Sequence, residues 1–302
     1  MIECLGPLQP GDRVALLSVS GSPSTTGMAR GARLLRSWGL EPVAYPSTTA
    51  THPSASYLAG PDQLRADDLM AAWCDPGIAA VFCVRGGYGS VRVLDLLDAE
   101  RMRQAAPKPL YGSSDVTALH EWLGAHLGVC SWHAPMVATG DLLNDPTATE
   151  YLRAAVLEGW HGRVYRGPGA ETLVPGTATG RLVGGNLSLL ALTLGARRNQ
   201  PLDQGGTIVL LEDVTEDSYR IDGYLQSLLR AGWFDGVRGI VCGSWRSCDL
   251  DQVKSLVAEL LAPLGVPIVW ELGFGHGPAS FSVPLGVSAR LDAGSSPSLT
   301  VL

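Results

Sequence analysis

The chain has 302 residues, 46% of them hydrophobic and 17% charged, which leaves room for a sizeable core and about two domains. Its formal net charge of −7 argues against nucleic acid or an anionic membrane as the main partner, because both reward a basic surface. No run reaches the length of a membrane span, and Met1 to Pro10 lacks a basic region followed by an apolar stretch, so no signal peptide is expected.

The first elements alternate. Val14 to Val19 reads as a strand, left through Ser20-Gly21-Ser22-Pro23, and a helix carrying Leu34, Leu35 and Trp38 stops at Gly39. Pro42 to Tyr45 is a second strand, Pro46 to Gly60 a polar loop, and Pro61-Asp62 opens a helix with Leu64, Leu69, Met70 and Trp73. Ile78 to Val84 is a continuous apolar run, as expected of a strand covered on both faces. This alternation predicts a doubly wound, mostly parallel sheet with its sites at the carboxyl ends of the strands.

Two such strand ends attract attention. Arg85-Gly86-Gly87-Tyr88-Gly89-Ser90 follows the third strand and precedes a helix expected to bear Val91, Leu94 and Leu97. Its glycines could bring backbone N–H groups to a ligand or simply form a turn, and the spacing matches neither nucleotide-binding fingerprint. The next strand ends in Tyr111-Gly112-Ser113-Ser114-Asp115, after which a helix carries Leu119, Leu123 and Leu127. A serine in a tight strand-to-helix turn can be a nucleophile beside the first helical N–H groups, or only a cap. Val129 to Trp132 is a further strand whose end places His133 among residues able to line the site, whereas His120 and His126 read as packing or surface residues. A helix capped by Asp145 closes the domain, and the Gly- and Pro-rich segment 161–176 reads as a linker between residues 1–160 and 177–302.

In the second half, Gly180 to Val183 leads through Gly184-Gly185-Asn186 into a helix, and Thr207 to Leu211 is a strand ending in Glu212-Asp213. Val237 to Cys242 and Ile268 to Trp270 are strands, and the latter runs into Gly273-Phe274-Gly275-His276-Gly277. A histidine between glycines has few sequence neighbours to pack against, which sets His276 apart from the other histidines. The end of the chain is β-rich. The six cysteines, Cys4, Cys74, Cys83, Cys130, Cys242 and Cys248, form no C-x-x-C pair, and the six histidines form no H-x-x-x-H pair. A cytoplasmic protein free of disulfides, metal and cofactor is expected.

The ordered set Arg85-Gly86-Gly87-Tyr88-Gly89, Tyr111-Gly112-Ser113-Ser114-Asp115, Gly184-Gly185-Asn186-Leu187, and Leu211-Glu212-Asp213 with Gly275-His276 downstream resembles the LD-carboxypeptidase family of serine peptidases. That family includes muramoyl-tetrapeptide carboxypeptidases and microcin C self-immunity hydrolases. The resemblance implies a flavodoxin-like N-terminal domain, a smaller β-rich C-terminal domain, a site between them and a homodimer. It also implies a triad of Ser114 as nucleophile, His276 as base and Glu212 as acid. Serine is a weak nucleophile and needs such a base, oriented by a third group. Backbone N–H groups of Gly87 and Asp115 would hold the oxyanion, with Arg85, Gly86, His133 and Asn186 as candidate substrate contacts. Gly112-Ser113 replaces the Gly-Tyr common before the nucleophile, and Asp222-Gly223 an Asp-Arg common after the acid, so the substrate is less constrained than the triad. The expected activity is release of terminal D-Ala from a murein tetrapeptide in peptidoglycan recycling. A self-immunity hydrolase of peptidyl or aminoacyl nucleotides is the alternative, and a non-catalytic cleft-binding module a third.

Overall fold

The computed structural model describes residues 6–195 and 205–302. The first half comprises β1 (Arg13–Leu17), α1 (Thr25–Ser37), β2 (Glu41–Ala44), α2 (Asp62–Cys74), β3 (Ala80–Cys83), α3 (Ala99–Gln104), β4 (Leu110–Gly112), α4 (Thr117–Leu127), β5 (Ser131–His133), α5 (Gly140–Leu143) and α6 (Pro146–Leu157). Then come β6 (Val164–Tyr165), β7 (Glu171–Val174), β8 (Gly176–Asn186), α7 (Leu187–Thr193), β9 (Thr207–Val214), α8 (Ser218–Arg230), β10 (Gly239–Arg246), α9 (Leu250–Leu261), β11 (Ile268–Trp270), β12 (Val283–Leu285), β13 (Ser288–Ala293) and β14 (Ser298–Val301). No helix among the described residues is long and apolar enough to cross a membrane.

Five parallel strands in the order β2-β1-β3-β4-β5 form the first sheet, the order of a flavodoxin-like doubly wound domain. Both faces are covered, which explains the unbroken apolar run of β3. Val81 and Cys83 pack with α2 and α4 residues such as Leu69, Trp73 and Leu119, while Ala80 and Phe82 pack with Leu35 of α1 and Leu152 of α6. Each large aliphatic side chain fully buried this way contributes about 1.5–3 kcal/mol of apolar burial.

The second sheet is mixed, in the order β6-β14-β13-β8-β9-β10-β11-β7. Its central strands β8 to β11 are parallel, with antiparallel flanks. One face carries α7, α8 and α9 through Leu190, Leu225, Leu228, Val253 and Val257. The other face, with Leu182, Leu210 and Val241, packs on Val283 and Leu285 of β12.

Several elements depart from the sequence expectation. Segment 161–176, expected as a linker, holds β6 and β7, both strands of the second sheet. The helix expected over Val91 to Leu97 is instead two 3-10 turns, Ser90–Arg92 and Leu94–Leu96. Leu97 turns extended and Asp98 caps a new helix, accepting from the Arg101 N–H at 3.0 Å. Strand β12 pairs antiparallel with β5, so a strand from beyond residue 280 completes the edge of the first sheet. The disulfide-free expectation fails at Cys130, which is disulfide-bonded, whereas Cys74, Cys83, Cys242 and Cys248 are free thiols. Bonded cysteines need proximity in space rather than in sequence, so dispersed spacing does not reveal them.

Candidate active site

At the end of β4 the chain turns so sharply that Ser114 takes φ 58° before a 3-10 turn, Ser114–Val116, feeds α4. A left-handed conformation at a non-glycine residue costs about 1–3 kcal/mol and persists only where its surroundings enforce it. Those surroundings are identifiable. A Cβ on Gly112 would lie 2.8 Å from Val116 Cγ1, so the turn closes only over a glycine. Buried His120 bonds the Gly112 carbonyl through Nε2 at 2.9 Å, and burial pushes its pKa down to about 3, so the ring is neutral and donates. Asp115 is fully buried, and its Oδ2 accepts from Ser20 Oγ at 2.5 Å and from the Ser90 N–H at 2.7 Å. One carboxylate thus ties the serine turn to the loops after β1 and β3. The loop after β3 is drawn so close that a Cβ on Gly86 would lie 3.1 Å from Ser114 Cβ.

Glu212 lies near the end of β9, opposite Asn186 of β8, and is fully buried. Period-2 alternation sends Glu212 and Asp213 to opposite faces. Asp213 accepts from Asn186 Nδ2 at 2.9 Å and from the Ser188 N–H at 2.8 Å. Burial first, then repulsion by Glu212, lifts the Asp213 pKa to about 6. Glu212 meets His276, with 2.6 Å between Oε2 and Nδ1. Burial opposes ionisation of Glu212, but the adjacent His276 and His133 hold it below the usual carboxylate range. Burial likewise opposes charge on His276, yet the Glu212 carboxylate outweighs it and lifts the pKa to about 8.

The histidine loop is fastened at several points. Gly277 N–H donates to Ser244 Oγ at 2.8 Å, Ser280 Oγ to the Gly275 carbonyl at 2.8 Å, and Ala279 N–H to Asp145 Oδ2 at 2.7 Å. Asp145 also caps α6 through Oδ1, so one side chain joins the loop to the first domain. Gly275 has φ 101°, and a Cβ there would lie 2.7 Å from Glu212 Oε2. That contact explains the glycine beside the histidine.

A cleft of about 170 Å³ is lined by Arg85, Gly86, Gly87, Ser114, Met136, Asp141 and His276, among others. The structure therefore brings together Ser114, His276, Arg85, Gly86 and Gly87, with Glu212 behind the histidine. Two candidate substrate contacts lie elsewhere. Asn186 caps α7, accepting from the Leu189 N–H, and its amide is engaged by Asp213. His133 is buried beneath the cleft, edge-on to Phe274, with Nε2 3.6 Å from Glu212 Oε1. A larger groove of about 590 Å³ adjoins the cleft and shares Asp141 and Gly277 with it. At that boundary Arg246 Nη1 bonds Asp141 Oδ1 at 2.7 Å and the His276 carbonyl at 3.2 Å, a bridge between the domains that sequence reasoning missed. Its two members lie 105 positions apart, and neither stands in a motif. Among the described residues, no group of three or more His, Cys, Asp or Glu is placed to hold a metal ion.

In this arrangement the Glu212 carboxylate accepts from Nδ1–H of His276 and leaves Nε2 as the free nitrogen, the tautomer required of a general base. Comparisons with known proteins give the family. The family model for the LD-carboxypeptidase N-terminal domain matches residues 14–134, and the model for the C-terminal domain residues 179–291. A Streptomyces coelicolor protein that carries a carboxypeptidase name is 47% identical over 95% of this chain and 92% of its own length. The murein tetrapeptide carboxypeptidase of Pseudomonas aeruginosa is 33% identical over 94% of each chain. Among solved structures, an MccF-like protein of Bacillus anthracis shares the fold with a TM-score of 0.86 at 24% identity, covering 99% of each chain.

Proposed function

The chain belongs to the LD-carboxypeptidase family of serine-type hydrolases, and from that premise we propose that it releases terminal D-Ala from murein tetrapeptides by acyl transfer through Ser114. The observation that carries the reading is one cleft lined by strained Ser114 and by His276, whose Nδ1 stands 2.6 Å from the buried Glu212. Ser114 Oγ attacks the carbonyl carbon of the L,D bond as its proton passes to His276 Nε2. Glu212 stabilises the imidazolium that forms, and backbone N–H groups of Gly87 and Asp115 hold the oxyanion. Collapse breaks the C–N bond, and His276 returns the proton to the leaving D-Ala amine. Water, activated by the same histidine, then releases the shortened peptide and restores the serine. We infer a role in peptidoglycan recycling in the cytoplasm and a homodimer, both carried by the family resemblance alone.

Purified protein incubated with murein tetrapeptide releases D-Ala, and Ser114→Ala lowers kcat by roughly 10⁴-fold or more. Equal release by the variant would falsify the mechanism. Cleavage of an aminoacyl-sulfamoyl adenosine without action on tetrapeptide would move the substrate to the aminoacyl-nucleotide class.

A further inference from the structure

We propose that Arg85 recognises the free terminal carboxylate of the substrate and so makes the enzyme an exopeptidase, an assignment that rests on the peptide reading of the Ser114 cleft. An enzyme that removes one residue must hold the scissile carbonyl at its nucleophile with the terminal carboxylate only one residue, about 3.8 Å of chain, further on. The carboxylate partner must therefore lie in the Ser114 cleft itself. Arg85 lines that cleft, two residues before Gly87 and next to Gly86, whose backbone abuts Ser114.

The guanidinium is anchored and still has donors to offer. Nη1 donates to the Ser22 carbonyl at 2.5 Å, fixing the fork against the loop after β1, and a guanidinium carries five N–H donors in all. Among the described residues no carboxylate lies within ion-pair distance of it. The residue is exposed and lines the cleft, so a ligand there can reach it. Its rivals are engaged elsewhere. Arg246 is neutralised by Asp141, Asn186 is spent on Asp213 and α7, and His133 is buried beneath Glu212. A charged planar fork with no acidic partner, beside the nucleophile, suits a carboxylate through two parallel hydrogen bonds.

The test compares murein tetrapeptide with the same peptide carrying a C-terminal carboxamide. The wild-type enzyme prefers the acid. Arg85→Gln shrinks that preference by about 10- to 100-fold, mainly through KM, and Arg85→Lys recovers part of it because charge returns without the fork. An acid-to-amide ratio unchanged by Arg85→Gln, or no preference in the wild type, overturns the assignment. Should Arg85→Gln fail to melt cooperatively, Arg85→Lys carries the same comparison, with a partial loss of preference expected. Calorimetric binding of both peptides to Ser114→Ala and to Ser114→Ala/Arg85→Gln reads recognition without turnover. Tighter binding of the acid that vanishes in the double variant supports Arg85 even if the wild type releases no D-Ala, a result that would fail the catalytic reading alone. Equal binding of acid and amide to Ser114→Ala, or binding of neither, overturns Arg85.

Discussion

On one side of the cleft, Ser114 is placed by backbone geometry: a left-handed residue, a glycine beneath it and the buried Asp115 tying three loops together. On the other side, His276 is placed by charge, through a fully buried carboxylate and a loop whose glycine leaves room for it. The serine side stores its cost locally as strain within a few consecutive residues. The histidine side stores it as a buried charge whose partner lies 64 positions away in the chain. The two sides should therefore fail differently when altered, one in backbone stability and the other in proton affinity.

The sharpest way to break this contrast is Glu212→Gln. It keeps an oxygen near Nδ1 but removes the charge, and kcat should fall by roughly 10³- to 10⁴-fold. The pH profile tests the cause. Only neutral His276 accepts the serine proton, and its pKa is lifted to about 8, so wild-type kcat/KM climbs with pH and levels off above about 8. In the variant that limb moves down toward 6.5, the ordinary histidine value, while the plateau drops. A limb that stays in place would mean that Glu212 does not set the proton affinity of the histidine.

A smaller effect is expected from Gly275→Ala, which forces a Cβ to within 2.7 Å of Glu212 Oε2 at φ 101°. Activity should fall by about 10- to 100-fold, with about 1–3 kcal/mol lost in urea unfolding from the strained backbone. Unaltered activity would show that the loop relaxes without moving the carboxylate. The smallest change isolates the serine side. Ser114→Gly should exceed Ser114→Ala in stability by about 1 kcal/mol, because only glycine is at ease at φ 58°. Identical urea midpoints for these two inactive variants would place the strain elsewhere.

Much of this was legible in the sequence where local pattern and chemistry coincide. The alternation of β1 to β5 with helices, the serine turn after β4, Glu212 at the end of an apolar run and His276 between glycines all announce themselves within a few residues. What escaped depends on contacts that a window of sequence cannot hold. Strand β12 contains Pro284, which ordinarily argues against a strand, yet it forms the edge of its sheet, where a missing N–H is tolerated. Strand β6 is two residues long, and β7 lies in a Gly- and Pro-rich stretch, so neither has a period to read. His133 reads as a residue lining the site because it ends a strand, but the second domain covers that end and leaves the ring against Glu212 and Phe274. Asn186 reads as a ligand group after two glycines, yet the helix that follows needs it as a cap. A polar side chain at a strand end is visible in sequence, but which neighbour claims its hydrogen bonds is settled only by packing.

Strand β12 also ties the histidine loop to a pairing of long range. Residues 283–285 register against 131–133, so the edge of the first sheet joins two segments far apart in the chain. Closing so long a loop is entropically costly, and contacts of this separation form late and slowly. His276 sits a few residues ahead of that strand, on the segment drawn into place by its docking. Docking of that strand and placement of the base are therefore coupled, and a chain in which β12 has not paired should lack the histidine loop beside the serine turn.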